Sequence, residues 1–146
     1  MAMYCLVQKL KTFVIFFKMQ LITDEVLKLE NYIHSQWDFF QTELEVPLKN
    51  LFSEPGNNGL RHIWQYGSAD LVVRRNNKIL CIIEPGGGHH FEEKQSLNDR
   101  RKWKLCDINN VIMLSLMNGV FDRLSNRQKR KLLGRYLFGL KKGNLL

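Results

Sequence analysis

Ala69-Asp70-Leu71-Val72-Val73-Arg74-Arg75-Asn76-Asn77-Lys78-Ile79-Leu80-Cys81-Ile82-Ile83-Glu84-Pro85-Gly86-Gly87-Gly88-His89-His90 is two apolar runs joined by a polar turn. The first run carries an Asp near its start, and the second ends in Glu84 before a glycine run and paired histidines. Short β-branched runs on either side of Asn-Asn predict a hairpin over about Tyr66 to Glu84, because Asn tolerates the positive φ that tight turns need. Two carboxylates at strand ends, beside glycines and imidazoles, suit a hard divalent cation.

Loop length decides whether those carboxylates meet. A two-residue loop, Asn76-Asn77, pairs Asp70 with Ile83 and sends Asp70 and Glu84 to opposite faces. A three-residue loop, Asn76-Asn77-Lys78, pairs Asp70 with Glu84 on one face. A shared cation therefore requires an odd loop or an intervening bulge. Without a cation, Glu84 needs another partner, and a salt bridge to Arg100 or Arg101 is the plain alternative.

Outward from the hairpin, the spacing predicts helices on both sides. Val26, Leu29, Ile33 and Trp37 line one helical face after Thr23, a good N-cap followed by Asp24 and Glu25. Phe40 to Leu48 alternates apolar and polar residues, the period of a half-buried strand that Pro47 closes. Ser53 to Gly59 is loop by composition. Glu92 to about Asp107 is predicted helical, with Leu97, Leu105 and Ile108 turned inward. Val111 to Leu116 has the apolar run of a buried central strand. Ser125-x-x-Gln128 is a capping box for a last helix striped by Leu132, Leu133, Tyr136, Leu137 and Leu140.

The chain of 146 residues is 45% apolar and 25% charged, which fits one soluble domain with a real core and excludes disorder as its main state. The net charge of +8 is unevenly spread. Before Arg100 there are 10 Lys/Arg against 12 Asp/Glu; from Arg100 on there are 12 against 2. A basic last third fits a polyanion partner through phosphate neutralisation, or else a solvated helix face. Three separated cysteines, with no Cys-x-x-Cys spacing, suit buried thiols in a reducing compartment and argue against structural zinc. Residues 1–20 form a helical extension whose Val7, Leu10, Val14, Phe17 and Leu21 stripe would bury against the domain, a second copy or a protein partner. Its apolar stretch is bracketed by lysines and too short to span a bilayer, so the expectation is a cytoplasmic protein with no membrane role.

The order helix, strand, hairpin, helix, strand, helix resembles the PD-(D/E)XK nuclease superfamily, closest to its very-short-patch-repair endonuclease-like branch and related small domains. That branch carries Asp-Phe, then Ile-Glu-Leu-Asp-Gly-x-x-His, then Asp-x-x-Arg/Lys and a Leu. The matching residues are Asp70-Leu71, Ile83 to His90, then Asp99-Arg100-Arg101-Lys102 and Leu105. The resemblance covers about residues 21–117, leaving 118–146 as a basic C-terminal helix, all in one domain. It implies an α/β fold with a restriction-endonuclease-like αβββαβ core and a mixed central sheet. It also implies Mg²⁺- or Mn²⁺-dependent hydrolysis of DNA phosphodiesters. Asp70 and Glu84 would be the metal ligands, and His90 or Lys94 would assist the chemistry. Arg100, Arg101, Lys104, Arg127, Arg130 and Lys131 would hold DNA through its phosphates. The superfamily's lysine position is Gly86 and the residue before it is Pro85. The alternative is therefore a non-catalytic nucleic-acid-binding or protein-interaction module on the same fold.

Overall fold

A computed structural model describes residues 24–85, 93–117 and 119–138. Its elements in chain order are α1 (24–36), β1 (Gln41–Pro47), α2 (Leu48–Leu51), α3 (Asn58–Tyr66) and β2 (Ser68–Arg75). They continue with β3 (Lys78–Pro85), α4 (Glu93–Ile108), β4 (Ile112–Leu116), α5 (Val120–Arg123) and α6 (Asn126–Leu137). The strands form one sheet in the order β1-β2-β3-β4. β1 and β3 run antiparallel to β2, and β4 runs parallel to β3, so the sheet is mixed and helices flank both faces.

Alternate strand residues feed two separate cores, as the period of two dictates. Leu71, Val73, Cys81, Ile83, Leu114 and Leu116 pack against Val26, Leu29 and Ile33 of α1 and Leu133 and Leu137 of α6. Val72, Ile82 and Met113 face the other way, onto Leu48, Ile63 and α4's Leu105 and Cys106. The predicted apolar face of α1 is buried, with Trp37 just beyond its last turn. The capping box at Ser125 and Gln128 forms as its spacing predicts.

The hairpin uses the bulge. Asn76 and Asn77 take φ values of 50° and 63°, as a two-residue turn of the mirror-image type needs. Arg75 pairs with Lys78 and Arg74 with Ile79, but Val73 pairs with Cys81, leaving Leu80 as the extra residue. Leu80 and Cys81 consequently contact the same core, while Ile79 and Ile82 contact the other. Beyond the bulge Leu71 pairs with Ile83, so the next residues inward, Asp70 and Glu84, lie opposite each other.

Several expectations change. Tyr66 belongs to α3, not to the hairpin, and α3 itself occupies sequence with no anticipated helix. Asn57 caps it by accepting from the Gly59 N–H, and Leu60 and Ile63 bury its inner side. β4 is the end strand of the described sheet, not a central one; its apolar run reflects coverage on both faces. Leu97 and Ile108 are exposed, while Leu105 and Cys106 are the residues of α4 that are buried. Thr23, the 1–20 extension, Cys5, the glycine run with His89 and His90, and Leu140 lie outside the described residues. Among the described residues no helix is long and apolar enough to cross a membrane.

Gly67 joins α3 to β2 at a crowded corner. A Cβ there would lie 2.4 Å from the Ile63 carbonyl oxygen and 2.9 Å from Leu48 Cδ1. The Gly67 N–H donates to that same Ile63 oxygen at 2.8 Å, and its carbonyl accepts from Leu48 N–H at 2.9 Å. Gly67→Ala must therefore move backbone, which costs about 1–3 kcal/mol as overpacking does. Chemical denaturation should show a lower midpoint with an unchanged slope.

Candidate active site

Asp70 on β2 and Glu84 on β3 share one row of the sheet, facing α4. The row extends to both sides. β1 pairs Leu44 with Leu71 and Val46 with Ala69, which puts Glu45 opposite Asp70. β4 pairs Ser115 with Glu84. Glu45 adopts φ 50°, a left-handed backbone unusual for a non-glycine inside a strand. Holding it there costs on the order of 1–2 kcal/mol.

Lys102 reaches this row from α4. Its Nζ lies 3.1 Å from Glu84 Oε1 and donates to the Ser68 carbonyl at 2.7 Å. The Lys102 and Glu84 side chains are only 12% and 15% exposed. The Asp70 N–H also donates to Glu84 Oε1, at 3.3 Å. The paired register of β2 and β3 thus brings the two carboxyl groups together on one face of the sheet. Lys102 is thus the partner of Glu84, in place of Arg100 or Arg101.

Electrostatics follow from this crowding. Burial pushes the Asp70 carboxyl up to about 7, and the Glu84 charge adds to the rise while Lys102 opposes it. Burial also raises Glu84, against the lowering effect of Lys102. Partial burial raises Glu45 in turn, with Asp70 the next cause. Beneath the site, burial pushes the Cys106 thiol up to about 12, helped by the Glu84 charge. The Cys81 thiol is likewise raised by burial. Both thiols are protonated small hydrophobes at neutral pH.

Asp70 and Glu84 supply carboxylate oxygens from two rigid strands. Among the described residues no group of three or more His, Cys, Asp or Glu is gathered for a metal. Two carboxylates nevertheless match Mg²⁺, which keeps several waters and takes one or two protein carboxylates plus substrate phosphate oxygens. The Asp70 carboxyl, raised by burial and by the Glu84 charge, marks a place where excess negative charge is relieved by a proton or a cation.

The remaining predicted residues are dispersed. His90 lies outside the described residues, and Lys94 sits on the first turn of α4, eight residues before Lys102. Arg100 and Lys104 are exposed on α4 and Arg101 is half-buried, on the site's side of the sheet. Arg127, Arg130 and Lys131 are exposed on α6, in the layer beyond the opposite face. Trp64 is structural: its indole N–H donates to the Phe52 carbonyl at 2.8 Å. Lys102 matches the Asp-x-x-Arg/Lys motif in the sequence but is not among the predicted site residues; Asp99 and Lys102 at i and i+3 lie on one helical face. No protein-family model, curated protein or solved structure matches the chain.

Proposed function

We propose that this protein is a metal-dependent endonuclease on a restriction-endonuclease-like fold, hydrolysing phosphodiester bonds in DNA. The observation that carries the reading is the Asp70–Glu84–Lys102 constellation: two carboxylates on adjacent strands with a buried ammonium beside them. The strand order and the antiparallel placing of β2 within an otherwise parallel sheet support it, since the αβββαβ core has the same strand succession; α2 and α3 are an insertion between β1 and β2.

Asp70 and Glu84 are the residues to hold Mg²⁺ or Mn²⁺. A divalent ion held there would supply Lewis-acid chemistry toward a phosphate and its attacking water. Lys102 takes the role that the sequence left vacant at Gly86. Its ammonium is fixed by the Ser68 carbonyl and Glu84, so it is positioned before substrate arrives and its charge favours the developing negative charge on phosphorus-bound oxygens. Glu45, at the solvent side of the row, is available to orient a water beside Asp70. Arg100 and Lys104 on the same side of the sheet suit phosphate contacts, which fix register without reading bases.

The test is cleavage of supercoiled and linear DNA with Mg²⁺, with Mn²⁺ and with chelator. The expected result is metal-dependent nicking that Glu84→Gln and Asp70→Asn each remove. DNA binding without cleavage, under every metal and with every DNA form, would refute the enzymatic reading and leave the binding module.

A further inference from the structure

We propose that the outward stripe of α6 is a second nucleic-acid contact surface, on the far side of the sheet from Asp70 and Glu84, so that one molecule can hold two duplex segments at once. This rests on the DNA-binding part of the reading above, because the first duplex lies over α4, and not on hydrolysis.

The helix carries five cations over Asn126–Leu137 and no acid. It is rigidly mounted: Leu133 and Leu137 are buried in the core, and the capping box fixes its first turn. Arg127, Arg130 and Lys131, spaced i, i+3 and i+4, are exposed, and none of them forms an ion pair among the described residues. Two acids of the same layer are engaged elsewhere. Asp122 pairs with Lys28 at 3.6 Å, and Glu30 accepts from the Thr42 hydroxyl at 2.7 Å.

Charge complementarity selects the occupant. Duplex DNA presents about one negative charge per 1.7 Å of axis, and protein surfaces that bind it are polar and strongly positive. Protein partners are instead gripped by a desolvated apolar or aromatic core. The Arg127–Arg130–Lys131 stripe is all cation, and the exposed Phe39 and Phe138 lie at the C-terminal end of the helix. Geometry separates it from the carboxylates: α4 packs on one face of the sheet and α6 on the other. With helix diameters of about 10–12 Å, the outer surfaces of these layers stand roughly 30 Å apart. A straight duplex lying over α4 does not reach α6.

The test is bridging by the full chain in chelator, so that cleavage plays no part. A 30-bp duplex is immobilised, protein is added, and retention of a second, fluorescent 30-bp duplex is measured across a salt series. Wild-type protein should retain it. Arg127→Gln/Arg130→Gln/Lys131→Gln should lower retention at least tenfold and flatten the log–log salt slope by about 3, with an unchanged melting temperature. Glu84→Gln should still bridge, which separates failure here from failure of the hydrolysis reading. Three results would each overturn the proposal: bridging that survives the triple substitution, single-duplex binding with no second capture, or displacement by polyglutamate at equal charge. A bridged complex whose mass requires two protein copies would overturn it as well, by assigning the bridge to self-association.

Discussion

Lys102→Met is expected to lower stability at pH 8 by about 3–5 kcal/mol, the usual cost of removing one member of a buried ion pair. The substitution keeps the length of the apolar stem, so packing loss is small. What it leaves is Glu84, 15% exposed and next to a second carboxyl, without its cation. The Ser68 carbonyl loses its 2.7 Å donor as well. Toward pH 5 the Asp70 carboxyl, raised to about 7, takes up its proton and the excess negative charge falls, so the deficit should shrink. The pair Lys102→Met/Glu84→Leu removes both charges and should regain most of the loss. Urea melts of the three variants at pH 5 and pH 8 provide the check; a deficit independent of pH would mean that Lys102 matters only for packing. In cleavage, Lys102→Met should cost on the order of 10²–10³ in rate, the effect of losing one fixed electrostatic contact. Lys102→Arg should recover stability better than activity, because a planar guanidinium does not reproduce a compact ammonium.

Stability of the metal-free wild-type protein should fall as pH rises from about 4 to about 7. The folded Asp70 carboxyl holds its proton up to about 7, whereas an ordinary Asp releases it near 3.8. Across that window the folded state binds more protons than the unfolded state, so unfolding becomes easier with rising pH. The raised Glu84 carboxyl acts in the same direction. The limiting slope is about 1.4 kcal/mol per pH unit for one such group. Above the window Asp70 is ionised, and a divalent cation should then bind best. Mg²⁺ at 100 times its dissociation constant would add about 2.7 kcal/mol. Thermal melts with and without Mg²⁺ should therefore diverge at pH 8 and converge at pH 5. Divergence that persists in Asp70→Asn/Glu84→Gln would place the ion elsewhere.

The sequence carried the buried face of α1, the strands and the carboxylates in legible form. Val26, Leu29 and Ile33 at helical spacing, and Ser125 with Gln128, lead to their elements because each signal is local and strong. The meeting of Asp70 and Glu84 was legible only as a condition. Whether Leu80 bulges depends on fitting Ile79 and Ile82 into one core while Leu80 and Cys81 fill the other, a tertiary matter. α3 was hidden by Gly56, Asn57, Asn58 and Gly59, which read as loop although Asn57 is the cap. Lys102 stood among Arg100, Arg101 and Lys104, and composition alone does not tell which of four cations turns inward. Leu97 and Ile108 show the same limit from the other side: apolar residues at plausible spacing remain exposed where the helix contacts no neighbour.

The bulge at Leu80 has a bearing on how this hairpin can change over evolutionary time. It works as a phase shifter between two segments of one ribbon. The tip, from Arg74 to Ile79, keeps one parity, and the carboxylate segment, from Leu71 to Ile83, keeps the other. A lineage that lengthens the Asn76-Asn77 turn by one residue can discard the extra residue at Leu80, and the reverse exchange is equally neutral for the row that holds Asp70 and Glu84. Only the sum of turn length and bulge is under constraint. Insertions and deletions in this ribbon should therefore travel in compensating pairs, while the distance from Leu71 to Ile83 across the ladder stays fixed.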